Sequence, residues 1–166
     1  LISRETLMPL GTHTTSKGRT TTKSRGKAPK QLDAIKLLMN DHDEVAAMFK
    51  QFMKMKKNGT QKSDLIEKIC NALSVHAEIE EEIFYPACEG KVDEDLLKES
   101  YVEHDGAKVL IAEIVGGSPD DEFYDAKVKV LSEEIEHHVE EEEKRLDGLF
   151  AQARKAELDM DALGQE

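Results

Sequence analysis

One spacing constrains this chain more than any other feature. His42 is followed by His76 and then Glu80, and His104 by His138 and then Glu142, with 34 residues between the lone histidine and the paired one in both cases. Positions four apart on an α-helix share a face and stand about 6 Å apart along the axis, so each His/Glu pair can turn an imidazole nitrogen and a carboxylate toward one point. A single pair would say little. Two pairs, each with a lone histidine at the same distance, read as two halves of one metal site.

The midpoints of the intervals say how the chain must run. Halfway from His42 to His76 lies Asn58-Gly59, halfway from His76 to His104 lies Gly90, and halfway from His104 to His138 lies Asp121, just after Gly116-Gly117-Ser118-Pro119. Each midpoint is at or beside turn chemistry. If every helix climbs from the site to a turn and the next descends by an equal length, all four histidines return to one level. The predicted fold is therefore all-α: an up-down-up-down antiparallel four-helix bundle with its site in the core.

Helix A is expected over 31–57, with Ile35, Leu38, His42, Val45, Phe49 and Phe52 on one stripe and Asp33 in the first turn. Helix B is expected over 63–86, capped by Ser63, with Ile66, Ile69, Leu73, His76, Glu80 and Ile83 inward. Helix C should start at Asp93, place Leu97, Tyr101, His104, Ala107 or Lys108, Ile111 and Ile114 inward, and end at Gly116-Gly117. Helix D should start with Ser118 as cap and Pro119 in its first turn, then bury Tyr124, Val128, Leu131, Ile135, His138, Glu142 and Leu149.

All six repeated residues thus fall on inward faces. Burying an ionised carboxylate costs several kcal/mol unless it is paired or coordinates a cation. A metal removes that difficulty, since carboxylates and neutral imidazoles both donate to it. His137 and Glu141 also stand four apart, but His138 matches the other half of the repeat and continues the row from Leu131 and Ile135. His137 is expected at the surface or behind a ligand, and the acidic runs Glu78 to Glu82 and Glu140 to Glu143 are expected to be solvated, Glu80 and Glu142 excepted. Tyr101, one turn before His104, is read mainly as core packing, with a metal-bound oxygen ligand as the other target for its hydroxyl.

The chain has 166 residues, 35% of them charged and 5% aromatic, with no tryptophan, which suits one small helical domain. No apolar run is long enough to span a bilayer, and a cytoplasmic location is expected. Cys70 and Cys88 are too few for a disulfide framework; Cys70 reads as a small buried residue and Cys88 as a helix-end thiol. Residues 1–30 carry Arg4, Lys17, Arg19, Lys23, Arg25, Lys27 and Lys30 against Glu5 alone, in a chain whose net charge is −12. Rich in Ser, Thr and Gly, that segment is expected to be a disordered tail. It offers no aromatic residue for stacking on bases, so nucleic acid is not an expected partner. The chain opens on Leu1, and Met8 is the expected initiator, with His13 left without a partner in the tail. The bundle is assigned to 31–150 and a polar extension to 151–166.

Four imidazoles and two carboxylates are too many donors for one tetrahedral zinc and suit two octahedral ions with open positions. No HExxH motif is present. The Glu-x-x-His pattern of ferritin-like centres occurs once, at Glu134 and His137, with histidines where the further glutamates should stand. The segments Asn40-Asp41-His42-Asp43-Glu44, His76 to Pro86, Glu103-His104 and His137 to Glu142 resemble the hemerythrin-like (HHE cation-binding) domain, in its H…HxxxE…H…HxxxE order. The resemblance implies two iron ions in an oxo- or hydroxo-bridged centre, with His42 and His76 on one iron, His104 and His138 on the other, and Glu80 and Glu142 bridging. It departs from oxygen-carrying hemerythrins at Lys108, where their third helix has a further histidine, and at HxxxE in place of HxxxxD. The change opens the centre, and Lys108 is read either as snorkelling to the surface or as donating to a bound oxygen ligand. The resemblance therefore implies binding or sensing of oxygen, nitric oxide or peroxide in stress response or iron handling. The alternatives are a catalase-like enzyme disproportionating hydrogen peroxide and, last, a metal-free structural bundle.

Overall fold

The computed structural model describes residues 33–55 and 60–166, which form an all-helical unit. The expected tail, with His13 and Met8, and the Asn58-Gly59 turn lie outside the described residues. Helix α1 spans Ala34–Lys54 and is capped by Asp33, whose carboxylate accepts the Lys36 N–H at 3.2 Å. The same carboxylate is held from the far end of the chain by Arg154, at 2.9 and 3.2 Å. Helix α2 spans Thr60–Ile79. It starts one turn earlier than the expected Ser63 cap, and Ser63 is an exposed residue within its first turn.

After Ile79 the backbone widens into a π-helical turn, Glu80–Phe84, before a last α-helical turn α3, Tyr85–Cys88. The Tyr85 N–H reaches back to the Glu80 carbonyl, five residues away. This extra residue per turn lets the rod continue through Pro86, which has no N–H to give. It also moves the inward face forward, so that Phe84 and Tyr85 are buried and Ile83, expected inside, is only half-buried. Gly90, at φ +68°, turns the chain in a left-handed conformation that favours glycine.

Helix α4 spans Glu94–Val115, with the Asp93 carboxylate accepting the N–H groups of Asp95 and Leu96 as expected. Helix α5 spans Tyr124–Glu143. It begins later than Ser118-Pro119 predicted, because Ser118 closes a separate turn: Asp121 accepts its N–H at 2.9 Å and its own hydroxyl accepts the Asp120 N–H at 3.3 Å. It also ends earlier. The chain breaks at Lys144, and Leu149 starts a new helix, α6, Leu149–Lys155, followed by α7, Met160–Leu163. Gly148 makes that corner possible, since a Cβ there would lie 2.6 Å from both the Glu142 carbonyl oxygen and the Lys144 nitrogen.

Helices α1, α2, α4 and α5 pack in a ring in chain order, α5 closing back on α1, which is the up-down-up-down bundle. Its apolar interior is in two parts. One is built around Val45, Phe49, Phe52, Ile69, Leu73, Val128 and Leu131, the other around Ile35, Leu38, Phe84, Leu97, Leu149 and Phe150. The segment 151–166, expected as a polar extension, contributes Ala153 and Met160 to the second part. Along the chain, each of the four repeated histidines lies between a residue of one part and a residue of the other. The interior is therefore two apolar blocks with a polar layer between them. Cys70 and Cys88 are buried free thiols in opposite blocks, pushed up by burial to about 11 and about 12.

Candidate metal centre

The polar layer contains His42, His76, Glu80, His104, His138 and Glu142, none more than 7% exposed. The Nε2 atoms of His42 and His76 stand 2.9 Å apart, and those of His104 and His138 3.2 Å apart. Each glutamate crosses between the pairs. Glu80 Oε2 is 3.2 Å from His76 Nε2 and 3.3 Å from His104 Nε2, and Glu142 Oε2 is 3.5 Å from both His42 Nε2 and His138 Nε2. The sequence repeat thus becomes a set of six donors in which two carboxylates each link one half to the other.

The opposite nitrogen of every imidazole is also engaged. His42 Nδ1 meets Glu143 at 2.8 Å, His76 Nδ1 meets Asp41 at 3.5 Å, His104 Nδ1 meets Glu81 at 3.0 Å, and His138 Nδ1 meets Glu103 at 2.8 Å. A carboxylate that accepts from Nδ1–H leaves Nε2 as the lone-pair nitrogen and fixes the ring plane, as in carboxylate–histidine–metal triads. These four acids pass once round the ring of helices. Asp41 on α1 supports His76 on α2, Glu81 supports His104 on α4, Glu103 on α4 supports His138 on α5, and Glu143 on α5 supports His42 on α1. Glu81 and Glu143 are therefore not the solvated acids that their runs suggested.

Electrostatics show how much the layer lacks by itself. Burial holds the Glu142 carboxyl well above the usual range, and the charge of Glu80 adds to that, while the Tyr85 hydroxyl opposes it. Glu80 is held below the usual range: burial opposes this, but the hydrogen bonds from His104 and His76 outweigh it. His76 is raised to about 9, burial being outweighed by Asp41 and Glu80, whereas burial and the neighbouring His76 lower His42. Even so, Glu80 Oε1 and Glu142 Oε2 are buried without a hydrogen-bond partner. Such atoms cost free energy unless a cation meets them. Two donors at about 2.1 Å from one ion and at right angles are about 3.0 Å apart, close to the inner separations here. With only nitrogen and oxygen donors, the residues present fit hard-to-borderline metal ions.

The pattern of the hemerythrin HHE cation binding domain family matches residues 33–149. The chain belongs to this family. A hemerythrin HHE cation binding domain-containing protein from Mycobacterium kansasii has a similar solved structure, with a TM-score of 0.61 at 16% identity, covering 80% of this chain and 88% of that one. A DNA nickase from a Nostoc species is 27% identical over 124 residues, 74% of this chain. The chain spans 35% of the length of that relative. This HHE domain is accordingly a cation-binding one, and its six repeated residues are brought together by the fold. No helix among its described residues is long and apolar enough to cross a membrane.

Tyr85 is the residue of the HHE layer that sequence reasoning missed. Its hydroxyl donates to Glu142 Oε1 at 2.9 Å and lies 3.3 Å from both Glu80 Oε2 and His104 Nε2. Burial and the two carboxylates push its own ionisation far up, so it stays a proton donor. Tyr85 is five residues after Glu80, a spacing that shares a face only in the π-helical turn. Tyr101 instead packs edge-on against the Tyr85 ring, with centroids 5.0 Å apart. Lys108 donates to both Glu81 oxygens, at 2.6 and 2.7 Å, and so acts behind His104 rather than on the inner face. His137 is 61% exposed and outside the layer, as its spacing indicated.

On the side away from Tyr85, a cavity of about 30 Å³ touches all four histidines and neither glutamate. Its walls include Val45, Leu73, Ala77, Ala107, Ile111, Ile135 and Val139, and Asp41, Ser74 and Lys108 also line it. That space suits a water molecule or a diatomic.

Proposed function

We propose that this HHE domain holds a pair of iron ions in its polar layer and binds a small diatomic or peroxide ligand beside them, as a sensor or carrier in stress response or iron handling. The observation that carries this reading is the crossing of Glu80 and Glu142, each of which touches one histidine of each half. Such an arrangement serves two neighbouring ions better than one. His42 and His76 would hold the first, His104 and His138 the second, and Glu80 and Glu142 would be shared. Bound iron supplies a change of oxidation state and open coordination positions for a ligand.

The chain's own residues do the rest. Asp41, Glu81, Glu103 and Glu143 keep the four imidazoles oriented with Nε2 inward. Tyr85 holds a proton against the carboxylates on one side. Val45, Leu73, Ile111 and Ile135 keep the other side mostly apolar and small, which favours an uncharged diatomic over a hydrated anion.

The test is iron per chain together with the absorption spectrum, before and after azide, nitric oxide and hydrogen peroxide. Two irons per chain and a near-ultraviolet band that shifts with nitric oxide are expected. Ile135→Phe, which fills the cavity, should keep the iron and lose the shift. Protein that takes up no iron, or whose iron is indifferent to all three ligands in the wild type, would sink the reading. Oxygen evolution from peroxide above that of free iron, abolished in Glu142→Ala, would make the chain an enzyme instead.

A further inference from the structure

We propose that Glu103, His137 and Glu141 form a second metal site, on the surface, for a first-row divalent ion. His137 and Glu141 stand one turn apart on α5, and Glu103 faces them from α4. His137 Nε2 is 3.7 Å from Glu103 Oε1 and 3.8 Å from Glu141 Oε1. These separations are too long for hydrogen bonds. An ion with bonds of about 2.1 Å at right angles needs donors about 3.0 Å apart, so closing on one takes less than about 1 Å of side-chain movement.

Three further observations point to a cation here. Glu103 is fixed through Oε2 by His138 Nδ1 at 2.8 Å, which leaves Oε1 turned toward His137. Glu141 faces His137 with Oε1 while its other oxygen, Oε2, is buried with no hydrogen-bond partner, so no neighbour offsets the charge of this carboxylate. Among the described residues, neither carboxylate is paired with a lysine or arginine, whereas Glu81, in the same relation to His104, is taken by Lys108 at 2.6 Å. With His137 61% exposed, an ion and its waters can reach the site. One imidazole and two carboxylates favour zinc, manganese or ferrous iron over magnesium or calcium. Glu103 touches both His137 and His138, so an ion here would draw charge from the carboxylate that orients one histidine of the buried layer. The assignment rests on these three side chains and not on the pair of irons.

Zinc alone is the probe. The full chain, freed of metal, is titrated with zinc by calorimetry while the histidine ring nitrogens are followed by NMR. The expected result is a weaker class of binding in which the His137 ring shifts, its affinity falling at least tenfold in His137→Ala and in Glu141→Gln with the tighter class unchanged. Superposable titrations of wild type and His137→Ala, or a His137 ring unmoved by zinc, would overturn the proposal. A chain that shows the His137-dependent class and no tighter one still supports this site, while the reading of the buried layer stands or falls on its uptake of iron.

Discussion

Behind His104 and His138 each supporting carboxylate has a second basic neighbour, Lys108 on Glu81 and His137 on Glu103. Behind His42 and His76, Glu143 and Asp41 have no lysine or arginine partner among the described residues. The inner faces of the two halves match to within a few tenths of an ångström, with two Nε2 atoms and a glutamate crossing from each. A repeat therefore fixes what points inward and leaves the outer surroundings free to differ. The lesson is where to look for inequality between two similar metal positions: one bond further out.

The crossing glutamates are the strongest test of that equivalence. If the layer holds the proposed pair of ions with each glutamate shared, Glu80→Ala and Glu142→Ala should both cost the chain both ions, not one. Metal affinity should fall by more than the 10- to 100-fold typical of losing an outer supporting group. Elemental analysis of the two variants checks this. Retention of one ion per chain in either variant would show that the halves bind separately.

Much of this was legible in the sequence, and the remainder was hidden for definable reasons. Apolar periodicity and the Asp33 and Asp93 caps place helices because both are local signals. Ser63 and Ser118 were equally good caps by type, but neither is used, since a helix start depends on where the neighbouring turn closes. The π-helical turn, and with it Tyr85, was invisible to a 3.6-residue period. The outer acids were in plain view: an acid precedes each lone histidine (Asp41, Glu103) and follows each paired glutamate (Glu81, Glu143). Glu81 and Glu143 hid inside acidic runs, where neighbours look alike until the fold turns one of them inward, and Asp41 and Glu103 each support a histidine of the next helix that no local spacing links to them. The break before Leu149 depends on Gly148's close approach to the Glu142 carbonyl within a tight turn, a backbone geometry that residue type alone does not announce.

A second prediction concerns the positive charge of the first half in the metal-free chain. That charge is on His76, raised to about 9 by Asp41 and Glu80 against the opposing effect of burial. A raised histidine stabilises the fold fully below its unfolded value of about 6.5, and that contribution disappears as pH climbs toward 9. The loss should be on the order of 3 kcal/mol. Asp41→Asn should shrink it. Urea unfolding of metal-free protein from pH 6 to 9.5 measures the slope, and an equal slope in wild type and Asp41→Asn would remove Asp41 from the account.

The second half has a lysine outside it, Lys108 on Glu81, and the smallest effect is expected there. Lys108 now satisfies both oxygens of Glu81, so Glu81 pulls less strongly on His104 Nδ1–H than an unpaired carboxylate would. Lys108→Met preserves much of the stem's contact with the cavity while releasing Glu81 to His104 alone. His104 should become the better donor, and of the proposed pair of ions the one assigned to His104 and His138 should bind more tightly, by up to about tenfold. The other, assigned in that proposal to His42 and His76, should be unmoved. Stepwise metal titration resolves the two. If both affinities rise together, Lys108 acts through the general field of an acidic protein and the halves are not distinguished at Glu81. If one alone rises, the inequality between two otherwise matched positions is set by a residue that touches neither ion.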